Sequence, residues 1–158
     1  MGDKTIPEGV TTAADRNTVS AATVVDASPQ DVFEFIRRPA NHPIISGDHS
    51  VRGATVGPVV LGPGDKFGMK MKIGLPYRIR SKVVEFEPNQ RIAWAPFNQQ
   101  RWRWEMEPAE GGKTKVTETF DLSTNKLAPA LRLVGLPKAH EVNVAKSVAN
   151  VAAHFSEG

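Results

Sequence analysis

The stretch Arg101-Trp-Arg-Trp-Glu-Met-Glu107, followed by Gly111-Gly112 and then Lys113-Thr-Lys-Val-Thr-Glu-Thr-Phe-Asp121, decides the fold. Trp102, Trp104 and Met106 alternate with Arg101, Arg103, Glu105 and Glu107, the two-residue period of a half-buried strand. Thr114, Val116, Glu118 and Phe120 share one parity in the second run, and the glycine pair between the runs predicts a hairpin turn. Further upstream the pattern repeats. Phe67, Met69, Met71 and Ile73 alternate with Gly68, Lys70 and Lys72, between turns at Gly62-Pro-Gly64 and Gly74-Leu-Pro76. Tyr77, Ile79, Ser81 and Val83 face one way in Tyr77–Glu87, with Arg78, Arg80 and Lys82 opposite. Arg91–Ala95 places Ile92 and Trp94 together, and Val51–Val56 and Thr18–Val25 read as two more strands.

Helices are expected at two places. Ser28 fits an N-cap, Pro29 the first helical position, and Asp31 the positive helix end, with Val32, Phe33 and Ile36 as the buried stripe. Pro39 and Pro43 end that helix, leaving at most a short second one within Asn41–Ser50. Pro129–Val134 could form a short helix before Gly135-Leu-Pro137. From Lys138 to Phe155 there is neither proline nor glycine, and Ala145, Val148, Ala149, Ala152 and Phe155 recur at helical spacing, with Val144 and Val151 widening the stripe. Met1–Asn17 has no apolar periodicity and is expected to be a mobile arm or strand lead-in.

The predicted class is α+β: consecutive antiparallel strands, about six or seven, with short helices between the first two and a long C-terminal helix across the concave face. One domain over 18–156 accounts for this pattern. Small side chains on the last helix (Ala145, Ala149, Ala152, Ala153) leave the concave side incompletely filled, which predicts a cavity.

The bulk numbers exclude several classes. The 158 residues carry 20 Lys+Arg against 17 Asp+Glu, a net charge of +3, and no cysteine, so disulfides, thiolate metal sites and cysteine catalysis are excluded. No run approaches the ~18 apolar residues of a membrane helix. Met1–Arg16 lacks the apolar centre of a signal peptide, so a cytoplasmic location is expected. Gly62-Pro-Gly-Asp65 lacks the Lys-Ser/Thr pair and following helix of a phosphate loop, and no dinucleotide cofactor is expected.

Four stretches in order resemble the bacterial branch of the START-like, helix-grip (SRPBCC) superfamily of polyketide cyclases/dehydrases and lipid-transport proteins. They are Ala27–Ile36, Leu61-Gly-Pro-Gly-Asp-Lys-Phe67, Val83-Val-Glu-Phe-Glu-Pro-Asn-Gln-Arg-Ile-Ala-Trp94 and Gly111–Asp121, with the long final helix completing the pattern. The resemblance spans roughly Thr18 to Phe155 and implies a helix-grip fold around a pocket. It leaves activity open, since the superfamily holds carriers, cyclases and proteins of other roles. Asn41–Asp48 departs from it, lacking the tryptophan or large apolar run that relatives often place there, so the pocket mouth is expected to differ.

Met69, Met71, Trp94, Trp102, Trp104, Met106 and Phe120 form the strongest candidate set. They could be plain core, but three tryptophans on two adjacent strands exceed what a small core needs, and methionine adapts to varied ligand shapes. With Tyr77, Ile79, Ser81, Val144 and Val148 they are the expected pocket lining. Glu118 is the candidate acid or base, because its parity with Val116 and Phe120 aims a carboxylate into apolar surroundings, where it must be paired or protonated. His42, His49, His140 and His154 fit no ligand spacing, so no metal is expected, though His42 and His49 lie near the expected mouth.

Three functions remain in view. The first is binding or transport of a small hydrophobic or amphipathic molecule such as a lipid, polyketide or aromatic metabolite. The second is a cofactor-independent cyclase or dehydratase using Glu118, with Ser81 or Tyr77 orienting the substrate. The third is a co-chaperone-like interaction module. The cations at Lys70, Lys72, Arg78, Arg80, Lys82, Arg101 and Arg103 fall on the outer face, away from the aromatics, which excludes single-stranded nucleic acid but allows transient contact with an anionic membrane. A monomer or weak homodimer is expected.

Overall fold

A computed structural model describes residues 5–97 and 99–156. Eight antiparallel strands form one sheet in the spatial order β1-β2-β8-β7-β6-β5-β4-β3: β1 Thr11–Ala14, β2 Thr18–Val25, β3 Val51–Ala54, β4 Lys66–Ile73, β5 Leu75–Glu87, β6 Arg91–Pro96, β7 Arg101–Pro108 and β8 Thr114–Asp121. From β3 to β8 each strand pairs with the next, and β8 then pairs with β2 over the whole of Thr18↔Asp121 to Val25↔Thr114. This α+β sheet curves around the C-terminal helix in a helix-grip arrangement.

The helix α1 spans Pro29–Ile36. Ser28 Oγ accepts from the Asp31 N–H at 3.2 Å, and Pro29 occupies the first turn. Val32, Phe33, Phe35 and Ile36 are buried. Then follow the short α2 (His42–Ile45), α3 (Ala128–Leu133) and α4 (Glu141–Ser156). The helix α4 buries Val144, Ala145, Val148 and Val151, chiefly against β2 and β8. It therefore covers one half of the concave face, and the other half, over β4 to β6, depends on α2 and the loop after it.

Two expectations are corrected, and one irregularity of the sheet is new. The segment Thr11–Ala14, read as part of an arm, is the edge strand β1, held by a turn in which Asp15 Oδ1 accepts from the N–H groups of Asn17 and Thr18, each at 2.8 Å. Its Thr-Thr-Ala-Ala sequence, mostly exposed at an edge, has no apolar alternation to reveal it. The last helix starts at Glu141, because Lys138–His140 is a 3₁₀ turn whose His140 ring packs on Trp102 and Phe120. Finally, β5 carries a bulge between Val83 and Glu85 where it pairs with β6. The extra residue moves Glu85 off the parity of buried Val83. On the other face Glu85 meets Arg101 and Arg103, each at 2.8 Å, and Arg91 at 3.5 Å.

Candidate functional site

A cavity of about 140 Å³ lies between the uncovered half of the sheet, α2 with its following loop, and the first turns of α4. Its apolar wall is Phe67, Met69 and Met71 of β4, Ile79 of β5, Trp94 of β6, and Trp102 and Trp104 of β7. Strand alternation aims all of these inward: Met69 pairs with Ile79, and Trp94 with Trp102. The opposite end is polar, where Glu118 is joined by Ser46, Asp48 and Ser50 of the loop after α2 and by Asn143 and Ser147 of α4.

Glu118 sits in a central strand, with Trp104 as cross-strand neighbour on one side and Ala21 on the other. Neither can solvate a carboxylate. Burial pushes its pKa up to about 8, against a lowering by the Ser147 hydroxyl, and the negative charge of Asp48 adds to the rise. Ser147 Oγ itself accepts from the Gly47 N–H at 3.1 Å, so its hydrogen is free to turn toward Glu118. Glu118 Oε1 is buried without a hydrogen-bond partner, the one such side-chain atom among the described residues. At neutral pH this side chain is a neutral acid with unspent hydrogen-bonding capacity facing the cavity.

His42 contributes a second buried polar group. Its ring stacks on Trp94, with centroids 4.6 Å apart and planes 19° apart, and Nε2 lies 2.9 Å from the Ile36 carbonyl oxygen. A carbonyl only accepts, so Nε2 must carry the hydrogen and Nδ1 is an acceptor. Burial pulls the pKa down to about 4, opposed by the bond to Ile36, so the ring is neutral at pH 7. For Asp48, burial works to raise the pKa, but hydrogen bonds from the Ser50 hydroxyl, the Ser50 N–H and the Ser46 hydroxyl outweigh it and hold it below the usual range. The loop carrying Ser46 to Ser50 is clasped to α4: Asn150 Nδ2 donates to the Ile45 carbonyl at 3.1 Å, and Gly47 lies so close to Asn143 that a Cβ there would collide with the Asn143 carbonyl oxygen.

A family described as polyketide cyclase/dehydrase and lipid transport matches residues 16–156. The chain belongs to this family. Among curated relatives, the uncharacterized protein Rv0088 of Mycobacterium tuberculosis H37Rv is 33% identical over 145 residues, covering 89% of this chain. The chain spans 65% of the length of that relative. Two solved structures show the same fold at low identity. Protein Ms6760 of Mycobacterium smegmatis matches with a TM-score of 0.69 at 17% identity, covering 94% of this chain and 98% of its own. The Zhui aromatase/cyclase of Streptomyces sp. R1128 matches with a TM-score of 0.66 at 16% identity, covering 89% and 93%.

Within this family fold, Met69, Met71, Ile79, Ser81, Trp94, Trp102, Trp104 and Glu118 come together around the cavity. Five expected lining residues do not. Tyr77 lies near the exposed end of the β4–β5 hairpin, opposite Met71 in the last row that β3 reaches and beyond the rows that β6 pairs with, and it lines a separate surface cleft. Met106 and Phe120 are core residues, the latter packed between Trp102 and His140. Val144 and Val148 are fully buried in the core, while Asn143 and Ser147, on another face of α4, reach the cavity. His49 is exposed with φ at 58° and does not line it. The polar end was largely missed because Ser46, Asp48, Ser50, Asn143 and Ser147 carry no periodic signal. The one available hint was the pair Asn143 and Ser147, spaced by four on the flank of α4 beside its valines.

Proposed function

We propose that this chain binds a small amphipathic molecule, about one ring in size, with a hydroxyl or carbonyl group directed at Glu118. The observation that carries this is the unpartnered Oε1 of Glu118 inside a tryptophan-walled cavity. A buried polar atom without a partner costs about 1–3 kcal/mol, a cost that a ligand hydrogen bond would offset. The protonated carboxyl can donate to a carbonyl or hydroxyl, and its other oxygen can accept from a hydroxyl. Size narrows the choice. An apolar cavity of ~150 Å³ takes up benzene, so 140 Å³ suits a single ring rather than a long acyl chain or fused polyketide, unless the loop after α2 opens.

A second reading, a cofactor-independent cyclase or dehydratase, is favoured by one further observation. At pH 7 the same cavity holds an acid that keeps its proton, Glu118, and a base that lacks one, His42. Such a pair can give a proton at one ligand atom and take one at another. A co-chaperone-like module is the weakest of the three readings, because surface docking gives no use to a cavity with polar groups at one end.

Trp94, Trp102 and Trp104 make the test direct. Titrating the protein with monocyclic phenols and aromatic ketones should change tryptophan fluorescence saturably, and native mass spectrometry of protein from its own host should show a retained small ligand. Under the binding reading Glu118→Gln weakens affinity about tenfold, the worth of one hydrogen bond in a buried site. Under the enzyme reading binding survives and turnover is lost. No fluorescence response to the panel and no retained ligand would refute both.

A further inference from the structure

The six cations of residues 66–82 remain outside this account. That stretch holds Lys66, Lys70, Lys72, Arg78, Arg80 and Lys82 and no acidic residue, leaving the rest of the chain with 14 cations against 17 anions. In the β4–β5 hairpin Lys66 stands opposite Lys82 and Lys70 opposite Arg78. Like charges directly opposite destabilise a sheet, yet among the described residues none of the six makes an ion pair. Arg101 and Arg103 on β7, beyond β6, are by contrast paired with Glu85, and Arg103 also with Asp121. The hairpin charge is therefore uncompensated.

The end of the hairpin is apolar. Ile73 is 66% exposed and Leu75 80% exposed on either side of Gly74, with Tyr77 behind them. The tip projects past the sheet: β3 pairs no further along β4 than Met71, the Lys72 N–H donates to the Ser50 carbonyl at 2.8 Å, and β6 pairs no nearer the tip on β5 than Ser81. At ~3.3 Å per residue, the Lys72 row lies ~7 Å behind the turn, the Lys70–Arg78 row ~13 Å, and the Lys66–Lys82 row ~26 Å. An interfacial anchor buries its apolar side chains ~5–10 Å into the headgroup boundary.

We propose that the β4–β5 hairpin docks on an anionic lipid surface, with Ile73, Leu75 and Tyr77 entering the interface and Lys70, Lys72 and Arg78 meeting the acidic headgroups. Beside the ribbon, Arg52, Lys70, Lys72 and Arg78 converge on a cleft that also contains Met71 and Tyr77. Met71 lines the internal cavity as well, so the docked face adjoins the cavity wall. The docking stands whatever the cavity holds. A lipid surface accounts for the tip better than an acidic macromolecule does, because the apolar side chains cap the end of the ribbon with the cations stepped behind them.

The test is sedimentation of the full chain with vesicles of phosphatidylglycerol and phosphatidylcholine mixed, against phosphatidylcholine alone. Binding should require the anionic lipid and weaken with salt. At about fivefold per basic residue near the surface, Lys70→Gln with Arg78→Gln should lower partitioning ~30-fold. Lys66→Gln with Lys82→Gln removes the same charge ~16–21 Å from the headgroup boundary, about two Debye lengths (~10 Å each at 0.1 M salt), and should change it less than threefold. Ile73→Ser with Leu75→Ser should lower it about tenfold or more; both residues are exposed, so thermal melts should match the parent. Absence of vesicle binding, or equal losses from the near and far cation pairs, would overturn the proposal. So would binding to heparin or polyglutamate that ignores the Ile73/Leu75 variant, since that assigns the face to an acidic macromolecule.

Discussion

Replacing Glu118 by glutamine should change how stability depends on pH, and the tilt of that dependence is more telling than its height. In the folded chain the carboxyl titrates at about 8, whereas an unfolded glutamate titrates near its ordinary value of 4.5. Between those values the unfolded chain has released the proton and the folded chain has not, so stability falls as pH rises, by ~1.36 kcal/mol per pH unit. Below about 4.5 the penalty is absent, and above about 8 it is constant. The acid side of this window is shared. His42 is held to about 4, and half-buried His140 is also lowered, so both oppose folding as pH drops below 6.5 and tilt the curve the other way. Asp15, Asp48, Glu85 and Asp121 are lowered carboxyls that act only toward more acid pH. From pH 6.5 to 8, Glu118 is the shifted group whose proton the folded chain still holds, while the unfolded chain sheds the last protons of His42 and His140. Glu118 alone costs about 1.6 kcal/mol across that interval and each histidine returns up to about 0.4, so the parent should lose about 1 kcal/mol, or roughly 2–4 °C in melting temperature for a chain of this size. Glu118→Gln should rise slightly there instead of falling. The amide adds a second N–H near a single hydroxyl, which could lower its whole curve by ~1 kcal/mol but cannot tilt it. Urea unfolding of both proteins at half-unit pH steps decides the matter. A parent curve that does not fall from 6.5 to 8, or a variant that falls as steeply as the parent, would refute the buried, proton-holding carboxyl.

His42→Phe keeps a ring on Trp94 and removes the site that must stay neutral; between pH 4.5 and 6.5 its stability should slope downward relative to the parent's by up to ~1.36 kcal/mol per pH unit. The same unfolding series measures it. Gly47→Ala should cost about 1–3 kcal/mol, because its Cβ would meet the Asn143 backbone carbonyl and push the loop after α2 away from α4; amide exchange at 46–50 should quicken with it. Thr114→Val should cost ~1–2 kcal/mol, read by urea midpoint, since the Thr114 hydroxyl donates to the Ala27 carbonyl at 2.7 Å in a fully buried position.

The sheet was legible wherever one face is buried and the other wet. Trp102, Trp104 and Met106 against Arg101, Arg103 and Glu105 can be read in only one register, because a one-residue slip would bury the charges. The bulge at Val83–Glu85 could not be read this way: alternation puts Glu85 inward, and it turns outward only because Arg91, Arg101 and Arg103, distant in sequence, are waiting on the other face. The edge strand β1 escaped notice for the opposite reason, having too little burial to impose a period.

The cavity itself follows from a mismatch that sequence pattern expresses only in part. Eight strands make a sheet wider than one helix can cover, and α4 spends Val144, Val148 and Val151 on β2 and β8. Small residues on α4 were expected to open the cavity, yet Ala145 is itself fully packed. The space opens where α4 does not reach, over β4 to β6, and is closed by a loop whose residues are too polar and irregular for any period. That division sets the chemistry. The half-sheet supplies the tryptophan and methionine wall by alternation, while the loop and the flank of α4 supply Ser46, Asp48, Ser50, Asn143 and Ser147 by tertiary approach. Glu118 lies where the two meet, on the last strand that α4 covers and the first that the cavity touches, which is why its carboxyl is buried yet not fully paired.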